Sequence, residues 1–177
     1  MRCDLDDLWR HSQDPALHAR WDLRFSRIAY LPRGGEDEPQ RFTYERSLVP
    51  GVAVRGWGET RGERVREDGN AASALAFGSE QRRSLIREGS GYWRYEPLAG
   101  GVRFLTRYDY EPRWGPVGRT VDRLVFRRLI AWATAWSFDR LRLWLEEGVP
   151  PERSMRAWLR LGPGPRPSAA RCRWGPA

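Results

Sequence analysis

The chain has 177 residues, of which 40% are hydrophobic and 31% charged, and its formal net charge is +8. This composition excludes a disordered chain, and the length predicts one core, because single domains usually span about 100–200 residues. No apolar run reaches the roughly 18–20 residues that span a bilayer, and no apolar signal segment is present. We therefore expect a cytoplasmic protein without a membrane span.

The positive charge lacks the features of a nucleic-acid-binding surface. All 31 lysine and arginine residues are arginine, and they are spread along the whole chain. Phosphate-binding surfaces usually combine both residue types in a cluster. The two cysteines, Cys3 and Cys172, lie near opposite ends, and no Cys/His spacing is typical of a metal site. We expect free thiols, no metal, no cofactor and no specific nucleic acid partner.

Two short helices are predicted near the N-terminus. Residues 4–21 divide at Asp14–Pro15, where aspartate fits the N-cap and proline fits the first helical position. Residues 22–31 are expected to become extended towards their end, and residues 32–40 have the composition of a loop.

An antiparallel meander is predicted next, because its turns are too short for the crossovers that parallel strands need. Pro50–Gly51 and Asp68–Gly69 indicate tight turns. Gly56 and Gly58 predict a bulge or strong curvature. The candidate strands are 41–49, 52–67, 70–77, 91–97 and 102–111.

One long helix is predicted over residues 117–147, ended by Gly148 and the two prolines that follow. At 100° per residue, one broad apolar face is formed. Its members are Val125, Leu129, Trp132, Ala133, Trp136, Leu143 and Trp144. Residues 151–161 predict a short amphipathic helix, and the Pro/Gly-rich tail is expected to be irregular. We divide the chain into a domain of residues 1–149 and an extension of residues 150–177.

Residues 91–115 contain four of the six tyrosines. Written as a hairpin around residues 98–101, they place Trp93 and Tyr95 on one side and the charged residues on the other, because strand side chains alternate between faces. Phe104 and Tyr108 share a face of the second strand. We expect the aromatic face to pack against the long helix, with a ligand pocket in the gap between them.

The order of elements resembles that of the START-like, polyketide-cyclase-like superfamily (SRPBCC). The segments that carry the resemblance are DDLWRHSQDPALHARWD and GSGYWRYEPLAGGVRFLTRYDYEPRWGPVGRTVDRLVF, and it extends over residues 4–147. It implies an α+β helix-grip fold, in which a curved antiparallel sheet wraps around one long C-terminal helix after two short N-terminal helices. Members of the superfamily carry hydrophobic ligands such as lipids, cyclise or dehydrate polyketides, or bind partner proteins.

We therefore expect a small, largely hydrophobic ligand to bind between the sheet and the long helix of a monomer or homodimer. Arg140 would be the polar anchor. One alternative is a cyclase or dehydratase that uses Tyr108 as the proton donor and Arg140 as the electrostatic stabiliser. Another is a non-catalytic interaction module with an arginine-rich outer face. The predicted lining residues are Phe42, Tyr44, Phe77, Trp93, Tyr95, Phe104, Tyr108, Trp132 and Trp136.

Other candidates for chemistry have structural interpretations. The helical wheel places Arg140 and Asp122 on the side facing the sheet, where they serve equally well as members of structural ion pairs. His11 and His18 lie on short helices that are expected to be exposed, which disfavours catalysis by either. Ser137 has no glycine-rich elbow around it, so we expect it to bond its own backbone.

Overall fold

A computed structural model gives the structure of the chain, and it describes residues 1–35 and 37–173. The chain is α+β, with two short helices, an antiparallel sheet and then a long helix, as the sequence predicts, and the sheet has six strands. The helices are α1 (Leu5–Gln13), α2 (Pro15–Trp21), α3 (Gly115–Val121), α4 (Arg127–Glu147) and α5 (Pro151–Trp158). The strands are β1 (Arg27–Tyr30), β2 (Arg41–Val49), β3 (Val52–Val65), β4 (Ala71–Gly78), β5 (Ile86–Leu98) and β6 (Gly101–Pro112).

The sheet is the predicted meander, with strand order β1-β2-β3-β4-β5-β6 and antiparallel pairing throughout. The turn glycines Gly51 and Gly69 have φ values of 80°, a left-handed conformation that glycine adopts without strain. Beside β6, the Met1 amine donates to the Val102 carbonyl and the Val102 amide donates to the Met1 carbonyl, each at 2.8 Å.

Alternation along the strands creates an inner face that carries most of the aromatic side chains of the sheet. Trp93 pairs with Thr106, Tyr95 with Phe104, and Gly91 with Tyr108. These residues share one side of the sheet because strand side chains alternate with a period of two. On the other side, Arg94 and Arg103 bond Glu96 in exposed ion pairs.

Of the bulge or strong curvature predicted at Gly56 and Gly58, the bulge is not found. The register of β2 on β3 is regular across both residues, and the shifts occur between Ser47 and Val49 and between Thr60 and Gly62. The rings of Tyr44 and Phe42 lie directly over the two glycines, where any Cβ would overlap them. The glycines are therefore needed to let these rings lie flat on the sheet.

The long helix runs from Gly115 to Glu147 as predicted, but it contains a π-helical turn, Asp122–Phe126, between α3 and α4. Gly148 ends it in the left-handed conformation with φ of 63°. A π-helical turn adds a residue to the turn and shifts the phase of every later side chain. A single helical wheel over 117–147 therefore assigns faces incorrectly.

The predicted one-sided apolar stripe does not match the observed burial. Val125 and Leu129 are exposed, whereas every residue from 133 to 141 is buried. Phe138 stacks on Phe104 of the sheet at 4.7 Å and lies 6.0 Å from Trp21 of α2. This half of α4 is covered on all sides, as is typical of a helix in the middle of a core.

The C-terminal tail supplies part of that cover. The amide of Ser168 and the guanidinium of Arg171 bond Asp139 at 2.8 and 2.7 Å, and the thiol of Cys172 lies 3.0 Å from the Ala135 carbonyl. Residues 169–171 form a 3-10 turn within a tail that was expected to be irregular. Residues 174–177 of the predicted extension lie outside the described residues.

The core contains residues from the N-terminal helices, three strands and α4. The central cluster is Leu8, Trp21, Ala71, Trp93, Tyr95, Val102, Phe138 and Leu141.

Within residues 1–35 and 37–173, no helix combines the length and the apolar character that crossing a membrane requires.

Candidate functional site

A cavity of about 450 Å³ lies between the inner face of the sheet, α2 and the first half of α4. Phe126, Leu129, Ile130 and Ala133 form its helical wall, since spacings of three and four residues share one helix face. Six of the ten predicted site residues line it: Phe42, Tyr44, Phe77, Trp93, Tyr108 and Trp132.

Three of the other aromatic residues lie in the core beside the cavity. The Tyr95 hydroxyl bonds Ser12 at 2.7 Å and Gln13 at 3.0 Å, and burial raises its pKa far above the ordinary value. Phe104 stacks between Tyr95 and Phe138. Trp136 is buried between Trp132 and Trp158, at centroid distances of 6.1 and 5.6 Å. They support the cavity without lining it.

Arg140 also lies away from the cavity, so its predicted position facing the sheet was wrong. Its guanidinium donates to the carbonyls of Trp21 at 3.3 Å and Pro151 at 3.1 Å and lies over the Trp136 ring. Burial lowers its pKa to about 10. The side chain connects α4 to the end of α2 and the start of α5.

Asp122 does face the sheet, where it has the structural role considered above. It accepts hydrogen bonds from the hydroxyl of Tyr110 on β6 and from Arg127. Burial raises the pKa of Tyr110, and the neighbouring Asp122 carboxylate raises it further. The π-helical turn is thereby anchored to the last strand.

A buried cluster of His18, Asp22 and Arg24 lies in the cavity wall. His18 Nε2 lies 3.0 Å from Asp22 Oδ2, while Arg24 donates to Oδ1 at 2.9 Å and to Oδ2 at 2.6 Å. The expectation that His18 is exposed was wrong, because its ring stacks on Trp21 and meets Trp93 edge-on. The sequence signal that could have indicated this cluster is the spacing of four residues between His18 and Asp22, with the apolar Trp21 between them.

The cluster has a defined charge state. Burial opposes ionisation of Asp22, but the Arg24 charge and the hydrogen bonds from His18 and Arg24 outweigh it and hold the pKa well below its usual range. Burial lowers the pKa of His18 despite the hydrogen bond to Asp22. At neutral pH the wall therefore contains a neutral imidazole beside an Asp22–Arg24 ion pair.

Charge around the cavity has one sign apart from this pair. The charged side chains that line it are Arg24, Arg46 and Arg83, and no aspartate or glutamate is among the lining residues. Arg46 is half-buried on the inner face of β2, and Arg83 lies in the β4–β5 connection. An amphiphile with an anionic group is therefore favoured over a cation.

The hydroxyl groups nearest the cavity are weakly engaged. Tyr108 Oη lies 3.3 Å from Thr134 Oγ1, and the Tyr108 ring faces the Arg24 guanidinium at 5.8 Å. Tyr44 donates to the Gly78 carbonyl at 3.2 Å, and burial raises its pKa to about 12. Among the described residues, no group of three or more His, Cys, Asp and Glu side chains is placed to hold a metal ion.

A second concavity of about 560 Å³ lies across β3, β4 and β5, near the bulge between Thr60 and Gly62. It is lined by three arginines, Glu63, Tyr92 and small residues. It has little of the aromatic lining that surrounds the inner cavity, so the inner cavity is the stronger candidate site.

Comparison with known proteins gives one informative relative. The chain is 49% identical over 158 residues to a protein of Bacillus subtilis (strain 168) named "Uncharacterized membrane protein YndG". The alignment covers 89% of this chain and 59% of the relative, so the chain spans less than two thirds of the relative's length. No family model matches the chain, and no solved structure matches it.

This relative overturns the expectation of a cytoplasmic protein. The relative, which is 49% identical to this chain, is named a membrane protein. The described part of this chain contains no helix able to span a bilayer. The expectation rested on apolar runs within 177 residues, and such runs carry no information about the rest of the relative's length.

Proposed function

We propose that the chain binds a small, largely hydrophobic ligand in the inner cavity, with the sheet and the long helix arranged as a helix-grip domain similar to START-like proteins. The observation that carries the proposal is the cavity itself, which has a volume of about 450 Å³ and a mainly apolar lining of aromatic and aliphatic side chains, with several polar groups among them. Ligand pockets usually have volumes of about 300–1,000 Å³ and this kind of lining.

The space is maintained by features that a filled core does not need. Cores normally pack to the density of organic crystals, so a void of this volume costs stability. Gly56 and Gly58 hold the Tyr44 and Phe42 rings flat, which keeps those rings out of the cavity. The His18–Asp22–Arg24 cluster fixes the polar wall in one arrangement.

The name of the relative adds a place of action. We propose that this domain works beside a membrane, where lipids and other amphiphiles are available as ligands. The basic lining favours ligands with an anionic group at one end, such as a fatty acid.

A second candidate, an enzyme of the cyclase or dehydratase type, is favoured by one observation. A neutral imidazole, a guanidinium and a phenol, from His18, Arg24 and Tyr108, line the same cavity. Such groups suit proton transfer next to a stabilised enolate. In this candidate Arg24 takes the electrostatic role that the sequence assigned to Arg140.

Titration with a fluorescent naphthalene-sulfonate dye, followed by displacement with a fatty acid, tests ligand binding. Thr106→Trp places a large ring inside the cavity, and Leu105→Trp places the same ring on the outer face of the same strand. We expect saturable, displaceable binding by the wild type and by Leu105→Trp, and at least about tenfold weaker binding by folded Thr106→Trp. Equal affinity in all three proteins, or no displaceable binding, contradicts the proposal.

A further inference from the structure

The first half of the long helix presents apolar side chains to solvent. Within the described part of the chain, Val117, Val121, Leu124, Val125, Leu129 and Trp132 are each between 40% and 67% exposed. We refer to these six residues as the exposed stripe. The opposite side of the same segment holds Gly118, Asp122 and Ile130 against the rest of the fold.

Arginines accompany the exposed stripe. Arg119, Arg123 and Arg128 are exposed, and none of them has a salt bridge within residues 1–35 and 37–173. The acidic residue of the segment, Asp122, is buried and is paired with Arg127. The surface is therefore apolar and strongly cationic at once, a combination typical of helices that lie in the interface of an anionic bilayer.

We infer that the exposed stripe docks on a bilayer surface that contains anionic lipid. The apolar residues would enter the boundary between headgroups and acyl chains, and the three arginines would contact lipid phosphates. A second copy of the chain is a poorer occupant, because self-association through the exposed stripe brings two rows of arginine together.

The exposed stripe is continuous with the cavity. Leu129 and Trp132 belong to the exposed stripe and also line the cavity. Phe126 and Ile130, which are outside the stripe, line the cavity next to them. A docked helix would therefore place the cavity against the lipid from which a ligand is taken. Only this identification of the bilayer as the ligand source rests on the proposed function; docking itself rests on the exposed residues.

Flotation of the purified chain with vesicles of phosphatidylcholine, alone or mixed with phosphatidylglycerol, tests the inference. We expect binding to the anionic vesicles, weakening as salt rises, and little binding to phosphatidylcholine alone. Leu124→Ser/Val125→Ser should weaken binding by about tenfold. Its matched control, Leu98→Ser/Leu105→Ser, removes two exposed leucines from the β5–β6 hairpin and should behave as wild type.

The charge component has its own pair of variants. Arg119→Gln/Arg123→Gln should weaken binding to anionic vesicles by about thirtyfold, because each arginine near the surface contributes separately. Arg64→Gln/Arg66→Gln, near the end of β3 and just beyond it, should have little effect. Equal binding to both vesicle types overturns the inference, and so does flotation of Leu124→Ser/Val125→Ser or of Arg119→Gln/Arg123→Gln like wild type. The inference is also overturned if the wild type does not bind vesicles and light scattering shows that it forms a dimer that Leu124→Ser/Val125→Ser does not form.

Failure of docking and failure of ligand binding can be distinguished. Neither Leu124 nor Val125 lines the cavity, so Leu124→Ser/Val125→Ser should bind the naphthalene-sulfonate dye as wild type in the absence of vesicles. Vesicle binding without displaceable dye binding would retain the docking surface and reject the ligand. Displaceable dye binding without vesicle binding would support the ligand cavity and contradict the docking surface.

Discussion

The two halves of the long helix have opposite surroundings. Residues 133–141 are buried beneath the sheet, α2, α5 and the C-terminal tail. Between Val117 and Trp132, by contrast, large apolar side chains face solvent, and only a narrow side contacts the fold. The second half holds the domain together, whereas the first half forms the cavity wall and an open surface.

This difference separates residues that determine stability from residues available for binding. The buried half has the aromatic stacking and all-round cover of a core, so substitutions there should destabilise the chain. The exposed half combines a contiguous apolar surface, which commonly marks an interaction site, with exposed arginines beside it. Variants in the two halves should therefore fail in different assays.

Truncation in the two halves gives the largest expected contrast. Phe138→Ala removes a ring stacked on Phe104 and should lower the free energy of unfolding by about 3–5 kcal/mol. Leu124→Ala, in the exposed half, should change it by less than about 0.5 kcal/mol. Urea unfolding of both variants measures the difference, and similar losses would refute the contrast.

The two buried arginines near the helix should also differ. Arg24→Met leaves the Asp22 carboxylate buried without its main partner, which should cost about 3–5 kcal/mol. Arg140→Met removes two hydrogen bonds to carbonyls and no salt bridge, so about 1–3 kcal/mol is expected. Denaturant midpoints and slopes of the two variants measure this, and a larger loss for Arg140→Met would show that the cluster is less important than proposed.

Acid should weaken the fold through His18. Burial holds its pKa below the ordinary value of 6.5, so the unfolded chain binds this proton at a higher pH than the folded chain does. The contribution of His18 to the free energy of unfolding is therefore fully present above about pH 6.5 and is lost as the pH drops below that value. Asp22, whose pKa is lowered, adds a second loss at pH values below about 4.

His18→Gln tests this assignment. The substitution should cost about 1 kcal/mol at pH 7 through the altered hydrogen bond and should flatten the dependence of unfolding free energy on pH below about 6.5. An unchanged pH slope in the variant would assign the acid sensitivity to other groups.

Tyr108→Phe separates a carrier from an enzyme. The hydroxyl is 3.3 Å from Thr134, so its loss should cost only about 0.5–1.5 kcal/mol in stability or ligand affinity. A cyclase that uses the phenol as a proton donor would instead lose about a hundredfold in rate. Fatty-acid displacement and a turnover assay on the same protein distinguish the two.

The smallest expected effect concerns ligand charge. Arg46→Gln removes one half-buried positive charge from the cavity lining. It should lower the affinity for an anionic naphthalene-sulfonate dye by about threefold to tenfold. The affinity of the neutral probe phenylnaphthylamine should not change. An equal loss for both probes would indicate a packing defect rather than an electrostatic one.

Local patterns were sufficient for much of this fold. Strand alternation placed Trp93 and Phe104 on the inner face, and the Pro50–Gly51 and Asp68–Gly69 turns fixed the meander. The helical wheel failed because a π-helical turn shifts the phase after Asp122, and because the tail covers Asp139. Neither effect leaves a periodic signal in the sequence.

The candidate site was predictable only in part for a related reason. Its aromatic lining follows strand periodicity, whereas the His18–Asp22–Arg24 cluster depends on how the end of α2 turns into the core. Arg140 and Arg24 are indistinguishable by residue type, and only the packing of α2 and α5 directs Arg140 away from the cavity.

Native mass spectrometry of the purified chain mixed with excess oleate tests the central claim most directly, namely that the inner cavity holds a hydrophobic ligand. We predict a complex of one oleate per chain for the wild type and for Leu105→Trp, and its absence from folded Thr106→Trp. Equal uptake by the wild type and Thr106→Trp, or no uptake by the wild type, would contradict the claim.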